Sequence, residues 1–323
     1  MKDPRVEALE TYFRLMSMNG GVQVFRSAMK AGILDRIRVE PLTADEIARR
    51  CELKAAPARL VLEALCALGL IRKSGEVWEL APAARSVMGP YRDLGDVYWS
   101  HLDTLLSTGE PLVNLDQAEQ GESFYKAQAA ALEWMLTPAA GAAAAVLARR
   151  APREVLDVGA GSAVWSLTLA KLDPAVRVTA LDRPGVLEIA QASAGKAGVS
   201  DRLIPLPGDF NTVEIPAARF DLAIAANVVH LMPREGTVAL LGRIHRALKP
   251  DGAVAVIDVV EGSPEGGLAR SLYALGLALR TKTGRTYSRE DLDSCLADAG
   301  FSRGTWTSIE VAPHTLGMVV AHH

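Results

Sequence analysis

A chain of 323 residues, 49% hydrophobic and 23% charged, has the size and composition of a globular enzyme with one large or two ordinary domains. Its net charge of −3 argues against a nucleic-acid partner held by bulk electrostatics. Three scattered cysteines, Cys51, Cys66 and Cys295, offer neither a zinc site nor a disulfide framework, so a reduced, cytoplasmic and metal-free protein is expected.

The start, MKDPRVEALE, carries acids where a secretory signal needs an apolar core. The spacing predicts a helix over Val6–Met18, with Leu9, Tyr12, Phe13 and Met16 on one face, stopped by Asn19-Gly20-Gly21. A second helix, Val22–Ala31, is closed by Gly32. Thr43 and Glu46 form a capping box that opens a short helix to about Cys51. A further helix runs from Ala56 to Leu68, with Leu60, Val61, Ala64, Leu65 and Leu68 at core spacing. Leu70–Lys73 and Val77–Leu80 read as a hairpin about Ser74-Gly75. Helix, helix and hairpin make a winged-helix arrangement. A DNA-reading winged helix usually offers several basic residues on its second helix, whereas here Lys54 and Arg59 stand against Glu63. A protein-contact role is expected. The competing reading is a DNA-binding regulator whose second domain senses a small molecule.

Tyr91–Met135 is predicted to be mostly helical, with Pro111 and Gly121 marking loops. It is rich in aromatics: Tyr91, Tyr98, Trp99, Phe124, Tyr125 and Trp134. Tyr98, Trp99, His101 and Trp134 are the candidates for a substrate-pocket wall between two domains. The most apolar run, Thr137–Ala148, is too short to span a bilayer and reads as a buried helix, so no membrane partner is expected.

The chain is organised around Glu154–Ala170, EVLDVGAGSAVWSLTLA. It reads as a buried strand to Val158, a turn at Gly159-Ala160-Gly161, and a helix from about Ser162, which could cap it. A dinucleotide fold wants G-x-G-x-x-G, but Val164 stands at the third glycine. A site for S-adenosylmethionine (SAM) wants an acid before a G-x-G turn to receive the ammonium group, and Asp157 precedes Gly159 and Gly161. Strand and helix then alternate, as in a doubly wound α/β domain with a mostly parallel sheet. The strands are Val176–Leu181, Leu203–Pro205, Asp221–Ala226 and Ala253–Val260. A helix at Gly236–Leu248 is closed by Lys249-Pro-Asp-Gly252, and Trp306–Val311 with Gly317–Ala321 form a final antiparallel pair.

Three positions after these strands carry chemistry. Asp182 ends the second strand, where a carboxylate can accept both ribose hydroxyls. Asp209 and Phe210 follow the third strand, where an acid can receive an adenine amino group and a ring can lie against the base. Asn227 and His230 follow the fourth, at the carboxyl edge where α/β sheets bind ligands; Asn227 is assigned to the cofactor. Asp258 lies on the next strand. If the two strands are neighbours, its carboxylate can accept from one imidazole nitrogen of His230 and leave the other as a base.

With these motifs the chain resembles the small-molecule O-methyltransferases, the plant caffeate and chalcone type and the bacterial natural-product enzymes. The resemblance covers nearly the whole length and implies three parts. They are a winged-helix dimerisation domain over 1–90, connecting helices contributing to the substrate pocket over 91–150, and a class I SAM-binding domain over 151–323. It implies SAM at Asp157, Gly159, Gly161, Asp182, Asp209 and Phe210, with His230 as catalytic base and Asp258 beside it. The acceptor implied is a hydroxyl of a small aromatic metabolite; carbon or nitrogen acceptors are the alternatives within the fold. It also implies a homodimer, with the segment around Phe13 to Met18 reaching the partner's pocket. The chain departs from the pattern in two places: Leu231-Met232 follows His230 in place of Asp-Trp, and Thr286 stands where many members have a third acid.

Overall fold

The computed structural model describes residues 3–89, 92–261, 267–311 and 314–323. Tyr91 lies outside them. The chain divides into two compact units, 1–96 and 97–323.

The first unit opens with one continuous helix, α1 (Pro4–Lys30), where the sequence predicts two. Each glycine at 20 and 21 costs a helix about 1 kcal/mol relative to alanine. Packing offsets this: a Cβ on Gly21 would fall 3.1 Å from Leu68, so glycine permits a close helix approach. Phe25 and Ala28 are buried in the C-terminal half, whereas Leu9, Tyr12, Phe13 and Met16 are exposed. Then come α2 (Ile33–Val39), β1 (Leu42–Thr43), α3 (Ala44–Arg50), α4 (Ala55–Ala67), β2 (Ile71–Ser74), β3 (Val77–Leu80) and α5 (Pro82–Val87). The Thr43–Glu46 capping box is formed in both directions. In α4 the buried stripe is Ala58, Leu62 and Leu65. Leu60 and Leu68, predicted to face the core, are exposed. The three strands pair in the order β1-β3-β2, completing the winged-helix pattern.

The second unit begins with short helices, α6 (Asp96–Trp99) and α7 (Leu102–Thr108), and the 30-residue α8 (Ala118–Leu147). Gly121, predicted to mark a loop, sits inside α8. A Cβ there would fall 2.9 Å from the Arg183 guanidinium and 3.1 Å from the Leu115 carbonyl, so glycine serves packing rather than a turn. Ala139, Ala140, Ala143 and Ala144 are small enough to bring α8 close to the following helix, and all are buried.

The α/β layer follows: β4 (Glu154–Val158), α9 (Val164–Leu172), β5 (Arg177–Asp182), α10 (Pro184–Ala197), β6 (Leu203–Pro207), β7 (Phe220–Ala226), α11 (Arg234–Ala247), β8 (Leu248–Asp258), β9 (Val260–Glu261), α12 (Gly267–Ala278), β10 (Tyr287–Ser288), α13 (Arg289–Asp298), β11 (Thr305–Val311) and β12 (His314–His322). Seven strands form one sheet in the order β11-β12-β8-β7-β4-β5-β6. The five from β8 to β6 are parallel, and the last two add antiparallel at one edge. The pleat sends Val155 to one apolar layer and Leu156 and Val158 to the other. The order reverses between β4 and β7, the switch point at which such sheets bind ligands.

Two local predictions differ, and one helix goes unpredicted. Helix α9 starts at Val164, and Ser162 does not cap it; Ala163 occupies the N-cap with φ +57. That left-handed conformation suits glycine, but the Ala163 methyl is fully buried in the α8–α9 layer, which compensates for the strain. The 249–252 stretch is not a helix-closing turn but part of β8, beside a register shift against β7 that lets the glycine at 252 pass the Phe220 carbonyl. Helix α12 was not anticipated. Among the described residues no helix is long and apolar enough to cross a membrane.

Candidate active site

The glycine turn after β4 and the ends of β5, β6 and β7 surround a cavity of about 260 Å³. Of the predicted residues, Gly159, Gly161, Asp182, Asp209, Phe210 and Asn227 line it. A Cβ on Gly159 would collide with Val228 at 2.6 Å, whereas beside Gly161 there is open space. Asp182 is fixed by backbone: Gly161 N–H donates to one oxygen at 2.8 Å and Arg183 N–H to the other at 2.7 Å. Burial pushes its carboxyl above the ordinary carboxylate range, against those two donors. Asp209 accepts from the Asn211 N–H at 2.8 Å and lies 3.8 Å from the Arg183 guanidinium. Asn227 is held at φ +56, and its side-chain oxygen is buried without a hydrogen-bond partner.

Asp157 is not on the cavity surface. The pleat turns it toward α9, where the Ser166 hydroxyl donates to it at 2.5 Å and only 1% of the residue is exposed. Burial raises its carboxyl from 3.8 to about 7. The folded state therefore holds the proton more tightly than the unfolded chain. This stability is fully present below 3.8 and is lost as pH rises through about 7. Melting temperatures of the protein without ligand should fall between about pH 4 and 7 and level off above that, and Asp157→Asn should flatten that fall. Identical slopes in the two proteins would contradict the assignment.

At the end of β7, a single turn over Val229–Leu231 carries His230. Because β7 and β8 are neighbours, Asp258 at the end of β8 reaches the same ring. His230 Nδ1 lies 2.8 and 2.9 Å from the two carboxylate oxygens. Asp258 is itself held by the Val259 N–H at 2.8 Å. An ionised carboxylate only accepts, so Nδ1 carries the hydrogen and Nε2 is left as the acceptor. Both residues are buried, and Val228, Leu231 and Met232 line the cavity where His230 does not.

Sequence reasoning missed Tyr273. Its hydroxyl lies 3.1 Å from His230 Nδ1 and 3.5 Å from Nε2. Such similar distances to both nitrogens place the oxygen over the face of the imidazole, and the rings meet edge-on at 83°. Burial, reinforced by the Asp258 charge, holds the Tyr273 phenol well above its ordinary pKa, so it is neutral. It sits on α12, the helix that no cap or period had signalled. Tyr125 on α8 also lines the cavity, with its phenol pushed up to about 12 by burial. Thr286 is buried, and the Arg285 N–H beside it donates to the His230 carbonyl at 2.9 Å.

Tyr98, Trp99, His101 and Trp134 do not line this cavity. Trp134 is 61% exposed, and the His101 ring lies 3.2 Å from the Glu110 carbonyl. Among the described residues no group of three or more metal-ligating side chains occurs.

A parallel sheet extended by an antiparallel pair, with an acid–glycine turn at its switch point, defines the class: an S-adenosylmethionine-dependent methyltransferase. The chain belongs to the O-methyltransferase family, with residues 117–302 matching the O-methyltransferase domain and 14–89 the O-methyltransferase dimerisation domain. It is 28% identical over 320 residues to the tetracenomycin polyketide synthesis 8-O-methyl transferase TcmO of Streptomyces glaucescens, covering 92% of each chain. It is 30% identical over 173 residues to the L-tyrosine C(3)-methyltransferase of Streptomyces lavendulae, covering 52% of this chain and 46% of that one. The crystal structure of human N-acetylserotonin methyltransferase in complex with SAM superposes with a TM-score of 0.73 at 20% identity, covering 99% of this chain and 98% of that one.

Proposed function

We propose that this enzyme methylates a hydroxyl of a small aromatic metabolite, with His230 as general base. The observation that carries the reading is the His230–Asp258 pair, whose geometry leaves Nε2 as a proton acceptor. The cavity suits SAM: Gly161 leaves room beside the turn, Asp182 offers a carboxylate to ribose hydroxyls, and the orphaned oxygen of Asn227 offers an acceptor to an ammonium group. Asp209 and Phe210 are assigned to the adenine, and buried Asp157 acts through the turn above it.

When bound, SAM supplies a methyl group already activated by a positive sulfur. The residues of this chain therefore have two tasks, positioning and proton removal. The acceptor's proton would pass to His230 Nε2 as its oxygen takes the methyl group and the sulfur–carbon bond breaks, leaving S-adenosylhomocysteine. Asp258 stabilises the imidazolium that results, and Tyr273 holds the ring from its face. The 91–150 helices are assigned to the acceptor pocket. The test supplies radiolabelled SAM with a panel of hydroxylated aromatic compounds and their deoxy analogues. Label in the hydroxylated members supports the reading, and label only in compounds lacking a hydroxyl contradicts it.

One observation favours a second reading, transfer to carbon. His230 is 93% buried and does not line the cavity, and a 30% identical relative is named as a C-methyltransferase. A carbon acceptor made nucleophilic by its own ring hydroxyl needs little help from a base.

The exposed apolar face of α1 supports a homodimer. Leu9, Tyr12, Phe13 and Met16 are each about half exposed or more, in a segment otherwise rich in charge. The 14–89 dimerisation domain includes the end of this helix. The expected result is a dimer by analytical ultracentrifugation that Phe13→Asp combined with Leu9→Asp converts to monomer. A wild-type monomer would remove the homodimer from the account.

A further inference from the structure

We propose that Asp116 is a positioning residue for cofactor binding: it latches the 110–117 connection to the 279–285 turn and so closes one wall of the cleft. The inference rests on the reading that the cleft beside Gly159 and Asp182 holds SAM.

The connection between α7 and α8 has no regular structure, yet it is tied along its length to the turn after α12. The Leu112 N–H donates to the Leu279 carbonyl at 2.9 Å, and the Leu115 N–H to the Arg280 carbonyl at 2.8 Å. Asp116 supplies the side-chain anchor. One of its oxygens accepts from the Lys282 N–H at 2.8 Å and the other from the Thr283 hydroxyl at 2.9 Å. The Lys282 ammonium returns the tie to Glu110 at 2.6 Å.

Leu115, Asp116, Thr281 and Thr283 line the same cavity as Gly159, Gly161 and Asp182. That wall is thus assembled from two segments far apart in sequence. The bonds joining them at Asp116 are exposed to solvent, where each contributes modestly and opens readily. The same turn continues to the base. A Cβ on Gly284 would fall 2.8 Å from the His230 carbonyl, and the Arg285 N–H donates to that carbonyl. Closing the latch therefore sets a cofactor wall and the backbone of His230 together.

The chemistry of the anchor predicts which replacements work. An asparagine at 116 can accept from the Lys282 N–H with its oxygen and donate to the Thr283 hydroxyl with its nitrogen. An alanine can do neither.

The test measures the dissociation rate of S-adenosylhomocysteine from the full-length protein by stopped-flow displacement. Asp116→Ala should release it about 10-fold faster, whereas Asp116→Asn should stay close to wild type. Thr283→Val, which removes one partner and leaves Asp116 in place, should fall between them. Hydrogen exchange gives a second readout. Ligand should protect the amides of Leu112, Leu115 and Lys282 in the wild type and in Asp116→Asn, but not in Asp116→Ala. Unchanged release and unchanged protection in Asp116→Ala would overturn the proposal, as would equal loss in Asp116→Asn. Asp182→Ala separates the two levels. If it binds the ligand as wild type does, the location of the cofactor is wrong and the latch falls with it. If it loses the ligand while Asp116→Ala keeps wild-type release, only the latch is wrong.

Discussion

His230→Ala should lower the rate of methyl transfer to a hydroxyl acceptor by about 10²–10⁴-fold, the range for loss of a positioned general base. The reason is specific to the pair. Asp258 stays in place, held by the Val259 N–H, but it cannot replace the base, because its oxygens point at Nδ1 and not at the acceptor. Cofactor binding should be unaffected, since His230 does not line the cavity assigned to SAM. Separate measurements of transfer rate and of SAM affinity therefore distinguish a lost base from a collapsed site. Full activity in His230→Ala would show that the acceptor needs no base and would favour transfer to carbon.

Asp182→Ala should weaken SAM binding by about 10²-fold or more, through loss of charge-assisted hydrogen bonds to the ribose. Burial already holds this carboxyl above its ordinary range. The ionised group is thus under-solvated by the protein alone, and two ribose hydroxyls would supply further donors. The substitution also frees the Gly161 N–H, which donates to Asp182 at 2.8 Å and sets the turn. The ligand-free protein should lose little stability, because the native site does not favour the carboxylate over water. Isothermal titration of SAM into both proteins, with melting curves beside it, checks both halves. Wild-type affinity in the variant would contradict the assignment.

The centre of the α/β sheet was readable from the sequence because β4, β5, β7 and β8 are largely buried on both faces and appear as apolar runs. Glu154–Val158 has the limits predicted, and the 28-residue spacing of His230 and Asp258 became a contact once β7 and β8 proved adjacent. What sequence periodicity could not convey was close approach. Gly21 and Gly121 read as breakers, yet each lies inside a helix where Leu68, or Arg183 and the Leu115 carbonyl, come close to the place of a Cβ. In α4, Leu65 is buried as predicted, but Leu62 and Ala58 complete the stripe in place of Leu60 and Leu68. Tyr273 and Asp116 meet partners 43 and 166 or more residues away, contacts that no local sequence pattern reports. Asp157 shows the opposite case. Its place in the motif was legible, but the pleat that turns it beneath the glycine turn appears only in three dimensions.

Transfer of a methyl group from SAM to oxygen, with His230 as base, leaves a distinct chemical signature in the product. The most direct measurement supplies SAM carrying a 13C-labelled methyl group to wild type and His230→Ala with hydroxylated aromatic acceptors, and reads the product methyl carbon by NMR. The account predicts a methoxy carbon in the wild-type reaction and its near-absence with His230→Ala. A methyl carbon bound directly to the ring, or an undiminished methoxy signal from the variant, would contradict it.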